Sequence, residues 1–393
     1  MAPIAGAVQR LHQSAETTLV RQMELSRVPA PTGNEAARAR LLRRMMDDCG
    51  FTSVDGAHVS QDATGNVIAR LEPMGAPAAN PDGSLAYPAI VCIAHLDTVF
   101  SAETPLAMRR DGDIVSCPGI GDNGRGLAAL LALAEQCASA DLRAHLRRPI
   151  EFVATVGEEG EGNLRGARAY FDARTPNDIE SVLVLDGPGD ATIVHHAVAS
   201  MRLRISYTGP GGHSWIDRRV PNPIHALGDA ISAIARLSSS QPADASVTVT
   251  RTGGGESLTA IAECAWFDVD MRALDQAVLL RNNAAVRSLV THHAGGCRSE
   301  IDVLGERPGG SLHHEHPLVE LASRMTRWCG AQPVSAMAST DANIPLARGI
   351  PAVTIGAGGR GGGAHSATEW FDNDRASHGI VRALGIVTSL AMQ

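Results

Sequence analysis

The sequence has no paired-cysteine motif, no long apolar segment and no surplus of positive charge. Its seven cysteines are odd in number and include no C-x-x-C pair. That excludes a disulfide scaffold and points to reduced thiols, mostly in the core, as expected for Cys92 and Cys264 inside strand-like runs. No segment reaches the roughly 18 uninterrupted apolar residues that crossing a bilayer requires. The first residues, MAPIAGAVQRLHQSAETTL, lack the charged start and apolar centre of an export signal, so a cytoplasmic protein is expected. A formal net charge of -8 provides no basic face to neutralise phosphates, which argues against nucleic acid or an anionic membrane as a partner. Small molecules or peptides remain.

What is present is a soluble balance of 44% hydrophobic and 19% charged residues over 393 positions, too long for one ordinary core. One large domain with a smaller one is the natural expectation. Residues 5–49 alternate apolar and polar at helical spacing, with a break at VPAPTGNE. Short apolar or β-branched runs follow at 66–70, 89–95, 149–156 and 181–186, and LAALLALAEQCASA between them reads as a buried helix. Strands alternating with helices imply an α/β fold, a mixed, largely parallel sheet sandwiched by helices. After Asp186 the pattern changes to strand, helix, two strands, helix and strand. This is the ferredoxin-like βαββαβ order. It reads as an insertion over 199–305, with 1–198 and 306–393 forming the main domain; near Leu312 the chain re-enters that domain, with the helix PLVELASRMTRWCG, a glycine-rich stretch and a last helix. There is no internal repeat.

Candidate chemistry sits where apolar runs stop: His95 and Asp97 in VCIAHLDTVF, Asp122 in GIGDNGRG, Glu158 and Glu159 in FVATVGEEGEG, Asp186 in VLVLDG and His365 in GGGAHSATEW. Each has a bland reading alone: a solvated Glu-Glu turn, a core histidine, a helix N-cap for Asp122, a turn for Asp186. In a parallel sheet, however, ligands collect at strand C-termini, and these residues fall there together. The joint pattern suits two divalent cations sharing a carboxylate, hence a two-metal hydrolase. A metal-bound imidazole needs its second N–H held, and Asp97, two residues beyond His95 on the same face of an extended chain, can hold it. Glu158 and Glu159 are adjacent and point different ways, so one can bind metal while the other faces substrate. The histidines of HHEHP at 313–316, with His195, His196, His225 and His292, lack such company and read as loop, hinge or helix residues.

Taken together, HLDTV, GDNGRG, GEEGEG and GGGAHSATEW resemble the co-catalytic zinc exopeptidase superfamily that contains carboxypeptidase G, peptidase T, aminoacylase and succinyl-diaminopimelate desuccinylase. The likeness covers nearly the whole chain, insertion included. It implies two Zn2+ ions, with Co2+ or Mn2+ compatible with the same mixed ligands. His95, Asp122, Glu159, Asp186 and His365 would be the ligands, with Asp122 bridging and a cis peptide after it. Glu158 would be the general base that takes a proton from water shared by the metals and delivers it to the leaving amine. The insertion would be a lid and dimerisation domain. His213 in TGPGGHSW would reach the partner's metal site and stabilise the oxyanion, with Asn222 at a neighbouring family position, which implies a homodimer.

The same resemblance sets expectations for the substrate. Arg272 in DVDMRAL would pair with a substrate carboxylate, a task that suits a guanidinium fork. Asp341 and Asn343 in STDANIP would lie beside the pocket, and Gly362 and Gly363 would offer backbone amides. Thr259 in GGESLTAI stands where relatives often carry asparagine, which implies an atypical substrate. Aspartate at 186, common in the carboxypeptidase G and peptidase T groups, implies an exopeptidase acting on a small peptide or peptide-like amide with a free carboxylate. The alternative is an N-acyl-amino-acid amidohydrolase. A non-catalytic, metal-dependent peptide-binding protein is the third reading, and Glu158 retained beside five ligands opposes it.

Overall fold

Ala89–His95 forms a strand in which every residue is buried. A strand with no solvated face must be covered on both sides, and that requirement organises the larger of two compact units. The structure, a computed structural model, describes residues 4–75 and 87–393. One unit runs to His196 and resumes from Ser311 to Gln393; the other is Ala197–Gly310.

In chain order the strands used below are β1 (Ala57–Gln61), β2 (Val67–Leu71), β3 (Ala89–His95), β4 (Ile150–Thr155), β5 (Ile179–Leu185), β6 (Thr192–Ala197), β7 (Ala199–Thr208), β8 (Ala245–Gly254), β9 (Cys264–Ala273), β10 (Arg298–Arg307) and β11 (Ala352–Ile355). The sheet of the first unit runs β1-β2-β4-β3-β5-β11-β6. Its centre, β4-β3-β5-β11, is parallel, and its flanks are antiparallel. The helix Gly124–Ala138 packs on β3, β4 and β5 and buries every residue except Glu135, which is half-buried. Its run of alanine and leucine lets it lie close to the sheet on all sides. The helix Ser377–Ala391 packs against both that helix and β3.

Two parts of this unit escape the sequence reading. β11 is a central strand, yet it is four residues long and lies in a glycine-rich stretch where alternation has no room to register. His195 and His196 lie on β6, directly before the boundary of the second unit, and His195 bonds to the Leu312 carbonyl and the Ser335 hydroxyl. A small antiparallel sheet of Arg109–Asp111, Ile114–Ser116, Trp370–Asp372 and Arg360–Gly362 is likewise built from pieces too short to show a period.

The second unit has strand order β8-β9-β7-β10, all antiparallel, with helices Pro223–Ser239 and Gln276–His292. This is the split βαββαβ arrangement. Met201, Leu203, Ile205 and Tyr207 alternate into its core, while Arg202 and Arg204 occupy the other face of the same strand. The unit is wider than 199–305 because pairing extends through Arg307, opposite Ser200, and because the Gly309 amide donates to Gln276.

Candidate metal centre

Parallel strands bring their C-termini to one edge, and the candidate residues follow from that. His95 is the last residue of β3, Glu158 and Glu159 come just after β4, and Asp186 follows β5 directly. Asp122 arrives at the same edge ahead of the helix Gly124–Ala138. The N-cap role there belongs to Asn123, whose side chain accepts from the Gly126 amide at 3.0 Å, so the Asp122 carboxylate is not engaged in capping. The Asp122–Asn123 peptide is cis. His365 lies in the loop between Arg360–Gly362 and Trp370–Asp372, and Gly363 and His365 both take left-handed backbone there, with φ of 71° and 63°.

The two oxygens of Asp122 face different imidazoles. Oδ1 is 3.0 Å from His95 Nε2 and Oδ2 is 3.2 Å from His365 Nε2. His365 Nε2 also lies 3.1 Å from Glu159 Oε1, and His95 Nε2 lies 3.8 Å from Asp186 Oδ1. His95 Nδ1 is 3.0 Å from the Asp97 carbonyl oxygen; a carbonyl only accepts, so Nδ1 carries the proton and Nε2 presents its lone pair. Asp122 Oδ1 is buried and receives no hydrogen bond. Lone pairs facing lone pairs at these distances fit a shared cation, and ligand atoms of His95, Asp122 and Glu159 all lie within 4.8 Å of one another.

The electrostatics express the same excess of negative charge. Burial pulls the His95 imidazole down, but the carboxylates of Asp122, Asp186 and Asp97 around it outweigh this and hold the ring well above its ordinary range. The Asp122 hydrogen bond raises His365 to about 9. Burial opposes ionisation of Asp122, yet the two imidazoles hold its carboxyl below the usual range. Burial raises Glu159. A site that draws protons onto both imidazoles is one that divalent cations would neutralise instead.

Asp97 works differently from the expectation. Its carboxylate Oδ1 is 3.6 Å from His95 Nδ1, and it is the backbone carbonyl that holds the ring. The carboxylate instead accepts from the amides of Glu158 at 2.9 Å and Glu159 at 3.0 Å, and from the Thr32 hydroxyl at 2.8 Å. Burial would raise this acid, but the His95 contact and the two amides bring it to about 2. Asp97 therefore fixes the turn that carries both glutamates. Sequence reasoning missed Thr32, and it also missed Arg38, whose buried guanidinium donates to the Leu96 carbonyl between His95 and Asp97. These partners come from distant segments, so no spacing marks them.

Other expected residues are not gathered at this edge in the same manner. Asn343 is wholly buried, and its Oδ1 accepts from the Thr340 amide at 2.8 Å. That contact props the turn at Asp341. Asp341 is itself buried, accepts from Thr155, and is pushed up to about 6 by burial. Gly363 is exposed. His213, Asn222, Thr259 and Arg272 belong to the second unit. There the Trp215 amide donates to His213 Nδ1 at 3.1 Å, which leaves the proton on the exposed Nε2. The Thr259 carbonyl accepts from the Ser214 amide, beside the short antiparallel pairing of Gly212–His213 with Ala260–Ile261. Asn222 caps Pro223–Ser239 by accepting from Ile224, and Arg272 donates through Nε to Asp270 at 2.8 Å. Beside Glu159 a cavity of about 430 Å³ opens, walled by Pro31, Val99, Phe100, Glu161 and Arg165.

The sequence profile of Peptidase family M20/M25/M40 matches residues 91–390. Among solved structures, the chain is similar to a tripeptidase from Staphylococcus aureus (TM-score 0.77, 20% identity, 96% of this chain and 99% of that one). It is also similar to aminopeptidase PepT from Bacillus cereus (TM-score 0.73, 20% identity, 96% and 99%). A third is the Bacillus subtilis YxeP protein, described as a dinuclear metal binding peptidase from the M20 family (TM-score 0.70, 18% identity, 96% and 99%). No curated protein sequence matches the chain.

Proposed function

Because the chain belongs to Peptidase family M20/M25/M40, we propose that it is a two-zinc exopeptidase that hydrolyses an amide next to a free carboxylate in a small peptide or peptide-like substrate. The observation that carries this reading is the Asp122 carboxylate directed by one oxygen at His95 and by the other at His365. His95 and Asp186 would hold one ion, Glu159 and His365 the other, and Asp122 both. Such a pair supplies Lewis-acid polarisation of the carbonyl and lowers the pKa of water toward 7. Glu158, nearly buried on the turn that Asp97 holds, takes a proton from the attacking water and passes it to the leaving amine. Arg272, with Nε engaged by Asp270, offers its terminal nitrogens to the substrate carboxylate. The cavity beside Glu159 is of a size for a small ligand.

The finer parts of the proposal are a cytoplasmic homodimer with the inserted unit as lid and dimerisation domain, and His213 donating from Nε2 to the partner's oxyanion. Metal analysis of purified protein, followed by di- and tripeptides set against N-acetyl and N-succinyl amino acids, with and without chelator, tests the reading. About two zinc ions per chain and chelator-sensitive peptide cleavage are expected. Turnover of the N-acyl compounds alone would make it a deacylase on the same metals and base. Tight peptide binding without consumption would make it a binding protein.

A further inference from the structure

The side chain of Glu369 is almost fully buried, and among the described residues no arginine or histidine pairs with it. Its three contacts are backbone amides of one short segment. Oε2 accepts from Gly119 at 2.7 Å, and Oε1 accepts from Gly121 at 2.8 Å and from Asp122 at 2.9 Å. The segment is tied back once more, because the Cys117 amide donates to the Glu369 carbonyl at 3.0 Å. Gly121 is part of the fit: a Cβ there would stand 3.0 Å from Glu369 Oε1 and 3.4 Å from Pro188. Glu369 also follows His365 by four positions in the same loop. One carboxylate thus joins the loop that carries His365 to the amide of Asp122 itself.

This is a costly arrangement for packing alone. A buried carboxylate without a cation stands beside a second acid, Asp122, and burying such a group costs free energy that the three backbone amides must offset. A glutamine would fill the same space, but its NH2 would oppose an amide N–H, donor against donor. We propose that Glu369 is a positioning residue of the metal centre, an acceptor-only clamp that sets Asp122 in register with His365. The inference rests on the two-metal reading above. It follows from the geometry that Asp122 has little latitude, since each of its oxygens is directed at a separate imidazole.

The test is zinc affinity of the full-length chain, measured by competition with a chromophoric chelator after the metal has been stripped, alongside thermal unfolding of the stripped protein. Partners that orient metal ligands are worth about 10- to 100-fold in affinity, and Glu369→Gln should lose that much. Glu151→Gln is the control. It removes an equally buried acid that pairs with Arg70, Arg174 and Tyr170 away from the site, so it should lower the unfolding temperature and leave zinc affinity unchanged. Gly121→Ala keeps the carboxylate and only displaces it, so it should shift affinity in the same direction by less. If Glu369→Gln binds zinc as the wild type does, or loses no more affinity than Glu151→Gln, the clamp is refuted. Wild-type protein that takes up no zinc would instead overturn the metal reading itself.

Discussion

At the scale of single residues, adjacent acids acquire different work from what surrounds them. Asp122 is placed among imidazoles, whereas Asp97 is enclosed by amides and a hydroxyl. Glu159 lies 3.1 Å from His365, while its neighbour Glu158 is held on the same turn by its amide, which donates to Asp97. Glu158→Gln should therefore bind the normal complement of zinc and lose about 10²- to 10⁴-fold in turnover, the usual contribution of a general base. Substantial activity at full metal content would remove that role. Behind the site, Arg38 donates to the carbonyls of Val28 and Leu96. Burial pulls its guanidinium down to about 10, so it stays charged at neutral pH. Arg38→Met would leave those carbonyls without donors at about 1–3 kcal/mol each. A chemical denaturation midpoint equal to that of the wild type would show that water replaces the arginine.

At the scale of elements, strands and helices with a full period were legible, and the rest was not. The runs at 89–95 and 181–186 are apolar enough to read as strands from the sequence, and their ends locate His95 and Asp186. Ala352–Ile355 does not read so, because four residues among glycines carry no alternation, although they pair with β5 at the heart of the sheet. The same limit hid what Asp97 holds: Glu158 lies 61 positions away, and only the fold brings it there. The outer face of the second unit gives a prediction at this scale. Arg204, Asp268 and Arg251 lie in one row across β7, β9 and β8, with contacts of 2.8 Å and 2.6 Å. Burial would raise Asp268, but the two guanidiniums outweigh it and hold the acid below its usual range. A lowered folded-state pKa means that the stability is complete above the unfolded value of about 3.9 and is lost as pH falls through the folded one. Asp268→Asn should therefore be less stable at neutral pH and flatten the acid limb below about pH 4. Denaturant titrations at several pH values check this, and parallel limbs for the two proteins would show that the row contributes nothing.

At the scale of the whole molecule, the first unit must be joined across the insertion, and the means is arginine. The chain has no lysine; all 34 cationic side chains are guanidiniums. Arg125, before the insertion, donates to the carbonyls of Ala357 and Ala376 after it, and Arg382, after it, donates to those of Asp190 and Gly356. A fork can serve separate carbonyls at once where an ammonium is a single point. If the insertion also provides His213 to a second copy, as proposed, two defective proteins should repair each other. His213→Ala lacks the donor but keeps Glu158; Glu158→Gln lacks the base but keeps His213. After mixing at equal amounts with exchange of subunits, half of the dimers are mixed, and each of those has one site with both groups intact. In a symmetric dimer that restores about a quarter of wild-type activity, from partners that are each nearly inactive. Activity no greater than the mean of the two separate proteins, with exchange verified by differently tagged chains, would mean that His213 does not act across subunits.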